Sequence, residues 1–205
     1  MERSERIFPA AMLQRYGAAI VPVGKGETVV REGEHARFFF VVKRGKVRMT
    51  NTSAEGKEFT QGYFGPGESF GEPPFFGEAP YPASAVATTD SEVWKIGKPQ
   101  FLRLLREHPE VHLALTQSLC SRLIYKSMML SEIAIEEAEH RVRTILRHLQ
   151  KESGTDPGKT FLVPFSRQQL ADLCGLRVET VIRTVKALER KGEVGITRDG
   201  KIRLG

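Results

Sequence analysis

Residues 166–183 read Ser166-Arg167-Gln168-Gln169-Leu170-Ala171-Asp172-Leu173-Cys174-Gly175-Leu176-Arg177-Val178-Glu179-Thr180-Val181-Ile182-Arg183, and the chain continues through Lys186 and Leu188 to Lys191-Gly192. Ser166 with Gln169 three positions later has the form of a capping box, in which hydroxyl and amide satisfy the free N–H groups of a helix start. Leu170, Ala171 and Leu173 give a short apolar face that ends at Cys174-Gly175. Gly175 stands where a tight turn between two helices needs a residue without a side chain. In the second helix Val181, Val185 and Leu188 face inward, at helical spacing. Its outward residues are Arg177, Glu179, Thr180, Arg183 and Lys186. A basic last turn and a glycine close it, as helix ends prefer. Ile196 to Leu204 then alternates apolar and polar residues around Asp199-Gly200, a hairpin pattern. The order predicts a winged helix-turn-helix.

In that motif the start of the second helix enters the major groove. Arginine can donate two parallel hydrogen bonds to guanine, and a carboxylate can accept from cytosine N4. Glu179 and Arg183 are four apart and share a face. The alternative for such a pair is a solvated salt bridge worth a few tenths of a kcal/mol. Charge distribution favours DNA: residues 141–205 carry 14 Lys and Arg against 7 Asp and Glu, whereas residues 1–140 carry 17 against 18. A basic domain attracts phosphate and gains affinity by releasing counterions. The hairpin reads as a wing with Arg198, Lys201 and Arg203 near phosphates.

Upstream, Ser153 to Gly158 is a turn-rich break. Between Pro99 and Gln150 there is no glycine and one proline, Pro109. Thr116, Leu119, Leu123, Lys126, Leu130 and Ile133 recur at heptad spacing, so the expected helix either pairs with its own copy or packs on its own β-domain. From Val21 to Ile96 short runs rich in β-branched and aromatic residues alternate with glycines. They predict a sandwich, jelly roll or barrel without a helical period of any length. No apolar run approaches the ~18 residues of a membrane span, and the N-terminus lacks a secretory design. Cys120 and Cys174 belong to no CxxC or ligand cluster, which suits a reducing cytoplasm.

The chain resembles the CRP/FNR superfamily (cyclic-AMP receptor and fumarate–nitrate regulators) over almost its whole length. In the β-region the likeness rests on Gly24-Lys25-Gly26-Glu27, Arg31-Glu32-Gly33-Glu34, Lys43-Arg44-Gly45-Lys46-Val47 and Gly65-Pro66-Gly67-Glu68-Ser69-Phe70-Gly71-Glu72. At the C-terminus it rests on residues 166–171 and 178–183. The resemblance implies an α+β architecture: a cyclic-nucleotide-binding-type β-roll (jelly roll) over 1–108, a central dimerisation helix over 109–137 and a winged helix-turn-helix over 138–205. It implies a homodimer on a near-palindromic operator of double-stranded DNA, and RNA polymerase as a partner of an activating member. The DNA contacts expected are Ser166, Gln168, Arg177, Val178, Glu179, Thr180, Arg183, Lys186, Arg198 and Lys201, and the dimer seam is the heptad set above. The effector pocket expected is Phe70, Gly71, Glu72, Ser84, Lys126 and Ser127.

Departures limit that carry-over. Cyclic-AMP-binding relatives place an Arg-Ser step where this chain has Pro82-Ala83, and no Lys or Arg occurs between Lys57 and Lys95. A buried phosphate without a paired cation is costly, so the sequence weighs against cyclic AMP and leaves the effector unassigned. Lys126 either snorkels from the seam or reaches an anionic effector. The absence of cysteine before Cys120 excludes the family's iron–sulfur sensing, while haem remains open through His35, His108 or His112. Ile182 stands where relatives often carry Gly or Ser, so a related but altered operator is expected, with either a thymine methyl or the domain core as its contact. An enzyme on the roll, such as a cupin-like metalloenzyme, needs converging His and carboxylates. Four of the five histidines fall outside the strand region, and no Ser-His-Asp set or phosphate loop stands out. The remaining alternatives are a constitutive regulator and a sensory module acting on a protein partner.

Overall fold

The computed structural model describes residues 7–52, 58–135, 137–155 and 159–205, with side chains at all of these except 132–135. Ile133 of the expected seam therefore lies outside the described side chains. The chain divides after Arg122 into two compact units.

The first unit contains α1 (Ala10–Arg15), β1 (Ala19–Val23), β2 (Thr28–Val30), β3 (Phe38–Arg44), β4 (Val47–Thr52) and β5 (Glu58–Phe64). It continues with β6 (Ser69–Phe70), α2 (Glu72–Gly77), β7 (Ser84–Ala87), β8 (Ser91–Gly97), α3 (Lys98–Glu107) and the start of α4 (Pro109–Ile135). The strands form two four-stranded sheets, ordered β1-β8-β3-β6 and β2-β7-β4-β5. Their pairings are antiparallel. The run Phe38 to Val42 is apolar without alternation because β3 is covered on both faces. Phe40 and Val42 join Val30, Val47, Phe70, Ala85 and Val93 in the core of the roll. Phe39 and Val41 join Trp94, Ile96, Phe101, Leu104 and Leu115 in a second core under the helices. Phe39 and Phe101 stack there at 3.8 Å between centroids. The helix α2 departs from the all-strand expectation for this stretch: its first positions carry Glu72 and two prolines, residue types a first turn accepts.

The second unit holds the remainder of α4, α5 (Ala138–Glu152), β9 (Phe161–Leu162), α6 (Arg167–Cys174), α7 (Val178–Arg190), β10 (Gly195–Ile196) and β11 (Ile202–Leu204). Its core takes Val142, Ile145 and Leu146 from α5, Leu170, Ala171 and Cys174 from α6, and Val181, Val185 and Leu188 from α7. The small sheet is ordered β10-β11-β9.

Along α4, Val111 and Leu115 are buried and Leu119 is half-buried against the helical core of the first unit. Thr116, Leu123, Lys126 and Leu130 are exposed, and the apolar ridge also takes in Leu113 and Ile124. No helix among the described residues is long and apolar enough to cross a membrane.

Candidate DNA interface and effector site

The start of α6 is capped as its sequence predicts. The Gln169 N–H donates to the Ser166 hydroxyl at 3.2 Å, and the Ser166 N–H donates to the Gln169 side chain at 2.9 Å. Helix α6 ends at Gly175, whose φ of 62° is left-handed and whose N–H returns to the Ala171 carbonyl. The chain then re-enters helix at Val178, so α7 crosses α6 with Val181, Val185 and Leu188 fully buried beneath it.

The opposite face of α7 presents Arg177, Glu179, Ile182, Arg183 and Lys186, all exposed. Glu179 and Arg183 form no ion pair with each other, and neither has a charged partner among the described residues. Both side chains are thus available on a helix held rigidly from below. Val178 and Thr180 are half-buried at its first turn. Of the other residues expected on DNA, Gln168 is exposed and its amide donates to Asp172 at 2.8 Å. Ser166 spends its hydroxyl on the cap.

The wing is a turn at Thr197 to Gly200 between β10 and β11. The Gly200 N–H donates to the Thr197 carbonyl, and Thr197 exchanges further bonds with Lys201. Arg198 sits exposed at the tip, while Lys201 pairs with Asp199 at 3.1 Å. The Arg167 guanidinium donates to the Gly200 carbonyl at 3.1 Å and so ties α6 to the wing. Sequence reasoning gave Arg167 no such role. Behind the interface, Arg143 of α5 grips Glu193 through two bonds of 2.6 and 2.9 Å and also meets Glu139. The Arg143 guanidinium, with Lys191 and Arg147 nearby, holds the Glu193 carboxyl below its usual range. Cys174 is an apolar core residue here, its thiol pushed up to about 12 by burial.

Of the effector-site candidates, Phe70, Gly71, Glu72 and Ser84 lie in the first unit. Glu72 is 2% exposed, and its carboxylate accepts from the Ser69 hydroxyl. The Arg122 guanidinium, on α4, lies 3.1 Å from the same carboxylate and 5.1 Å over the Phe64 ring. Gly71 precedes Glu72 with φ 84°, and a Cβ there would come within 3.1 Å of the Tyr81 ring. This backbone needs glycine both for its dihedral and for the close ring. Phe70 stacks on Phe40 as core. The Ser84 hydroxyl accepts the Glu32 N–H at 3.0 Å and so serves a turn. Lys126 and Ser127 are exposed on α4 and belong to the second unit.

Arg122 was missed among the site residues, although its position carries a signal. It continues the buried stripe of Val111 and Leu115 at helical spacing, and an arginine on a buried stripe requires a carboxylate nearby. The pairing also bears on fit to a cyclic nucleotide. The cation that reaches Glu72 is engaged by that carboxylate, and Pro82 and Ala83 offer none to a phosphate. Among the described residues no three His, Cys, Asp or Glu side chains converge as metal ligands. His108 instead faces Glu110 at 3.1 Å, and His35 and His112 are exposed.

Residues 20–108 match the cyclic nucleotide-binding domain family, and residues 140–204 match the Crp-like helix-turn-helix domain. The chain is 34% identical to the cyclic AMP receptor protein of Thermus thermophilus, across 83% of this chain and 76% of that protein. The chain belongs to the CRP family.

A second relative, the cAMP-activated global transcriptional regulator CRP of Haemophilus influenzae, is 31% identical over 79% of this chain and 73% of its own. Among solved structures, the c-di-GMP responsive global regulator CLP of Xanthomonas campestris superposes with a TM-score of 0.75. That match is at 24% identity and covers 96% of this chain and 99% of that one. The CRP architecture accounts for both units: a cyclic nucleotide-binding roll followed by a long helix, and a helix-turn-helix. Members of this family are DNA-binding transcription regulators.

Proposed function

We propose that the protein is a dimeric, sequence-specific transcription regulator, controlled allosterically by an effector in the roll that is not cyclic AMP. In this reading residues 1–108 sense, 109–137 dimerise and 138–205 bind DNA. The operator is a near-palindrome with one half-site per subunit, about one helical turn apart. The observation that carries the reading is the pair Glu179 and Arg183, both exposed and neither neutralised, on α7, whose opposite face is buried in the core of a basic unit. Arg183 suits guanine and Glu179 suits cytosine, with Lys186 and Arg198 placed for phosphates. The second copy is supported by the ridge of Leu113, Leu123, Ile124 and Leu130, which a single chain leaves in water.

The names of both relatives refer to cyclic AMP. The site residues argue for another ligand here. A cyclic phosphate beside Glu72 would meet a guanidinium already neutralised by a buried carboxylate, with no second cation at Pro82 or Ala83. The effector would act by favouring one of two dimer arrangements. The test is fluorescence anisotropy of full-length protein on a selected operator, with and without cyclic AMP, beside calorimetry of cyclic AMP binding. The account expects no heat and no gain in operator affinity at millimolar cyclic AMP. A saturable heat with a tenfold or greater gain in affinity would overturn the effector assignment while leaving the DNA reading intact.

A further inference from the structure

The roll of the first unit is open at the end where β3 begins and β8 finishes. A cavity of about 490 Å³ lies there, within the range of small-molecule sites. Its floor is apolar: Val30, Phe40 and Tyr81 line it, each less than a tenth exposed. Arg37, Phe38 and Lys95 form the rim. Neither Glu72 nor Arg122 lines it.

Lys95 is the unusual residue. On β8 the inward row runs Ser91, Val93, Lys95, with Val93 in the core of the roll, while Trp94 and Ile96 face the helices. Lys95 pairs across the ladder with Phe40, so a half-buried lysine stands on the same face as the cavity floor. It sits 3.9 Å over the Phe38 ring. A cation over an aromatic face is attracted by the ring quadrupole but is not neutralised. Among the described residues neither Lys95 nor Arg37 has a carboxylate partner. The acid lining the cavity is Glu34, whose carboxylate accepts the Arg31 N–H at 3.2 Å in its own turn. His35 lines it as well. Two cations and one acid leave the mouth with one uncompensated positive charge above an apolar floor.

We infer that this mouth is a second ligand site, which takes a small aromatic or alicyclic anion. The ring system would lie on Val30, Phe40 and Tyr81, with the carboxylate or phosphate monoester between Lys95 and Arg37. Arg37 can grip such a group through two parallel bonds, and Lys95 acts as a point charge. The Tyr81 ring also packs against Gly71, the residue before Glu72. An occupant of the mouth would therefore rest on a wall whose other contact is the effector-site backbone. The inference does not depend on the identity of the Glu72 effector.

Full-length protein titrated with anilinonaphthalene sulfonate, a fluorescent aromatic monoanion, tests the site. Saturable binding at one equivalent is expected, weakened about tenfold by Lys95→Gln and by Arg37→Gln through loss of a charge-assisted contact. Lys95→Met keeps the stem and should weaken binding equally, with an unfolding temperature near that of the wild type. Arg106→Gln, the same charge change on the exposed surface of α3, should leave binding unaltered. The neutral compound phenylnaphthylamine should compete at least about tenfold less well. Displacement by naphthoate ahead of naphthyl phosphate would assign a carboxylate, and the reverse order a phosphate monoester. Equal binding by wild type and the Lys95 and Arg37 variants, equal competition by the neutral compound, or no saturable binding would overturn the proposal.

Discussion

The Arg122 guanidinium approaches the Glu72 carboxylate to 3.1 Å across fifty residues of sequence, and the acid is 2% exposed whereas the arginine is 29% exposed. A buried carboxylate with a partner at the surface is an asymmetric pair. Removing the arginine strands a charge in the core of the roll, whereas removing the acid leaves a cation that can turn to water.

Arg122→Met is accordingly expected to destabilise the first unit by about 3 kcal/mol, the low end for breaking a buried ion pair. Glu72→Gln should cost less, and the double variant less than the sum of the two. Urea unfolding of all three proteins measures this. Additive losses would mean that the two side chains do not act as a pair.

Arg183→Ala and Glu179→Ala are each expected to weaken operator binding by about 1–3 kcal/mol and to relax base preference at one position of each half-site. Because both side chains are exposed and unpaired, neither change should move the unfolding temperature. Lys186→Ala and Arg198→Ala should instead weaken all sequences alike and lower the salt slope by about one. Anisotropy titrations at several salt concentrations separate the two classes.

His148 stacks on Tyr125 with centroids 4.1 Å apart, and burial lowers its pKa from 6.5 despite the nearby Glu152. The unfolded chain therefore binds a proton at higher pH than the folded one. Its stabilising contribution is complete above pH 6.5 and is lost as pH falls through the lowered folded value. His148→Phe keeps a ring against Tyr125 and should flatten this part of the stability–pH curve. Thermal unfolding between pH 5 and 7.5 checks it, roughly spanning the window in which an ordinary histidine titrates.

Leu123 and Leu130 lie one heptad apart on the exposed ridge of α4. Leu123→Glu or Leu130→Glu should yield a folded monomer whose operator affinity falls at least about a hundredfold, since each half-site is then bound alone. Sedimentation equilibrium gives the mass, and a dimer that survives both changes would place the partner elsewhere.

Local chemistry made much of the second unit legible. Ser166 and Gln169 are three residues apart, Gly175 marks its own turn, and Asp199-Gly200 marks the wing, so each signal lies within one short window. The first unit was legible as a β-domain, but its details depended on distant partners. β1 hides behind Pro22, which is tolerated because β1 is an edge strand, paired among the described residues with β8 alone. β9 has two residues and no pattern of its own. The bond from the Glu32 N–H to the Ser84 hydroxyl joins residues far apart in sequence, which no spacing announces. Arg122 was visible in principle, as a charge on the stripe of Val111 and Leu115, but its partner Glu72 is far away in sequence. The ridge on α4 shows the same limit. Heptad spacing placed Leu123 and Leu130 on it, whereas the half-burial of Leu119 depends on where the helical core of the first unit lies.

Selection of the purified protein on a randomised duplex library, repeated with Arg183→Ala, tests the central claim most directly. The account predicts an enriched inverted repeat with half-sites centred about one helical turn apart, and loss of one guanine preference from each half-site in the variant. Enrichment of a single unrepeated site, or an unchanged motif in the variant, would contradict it.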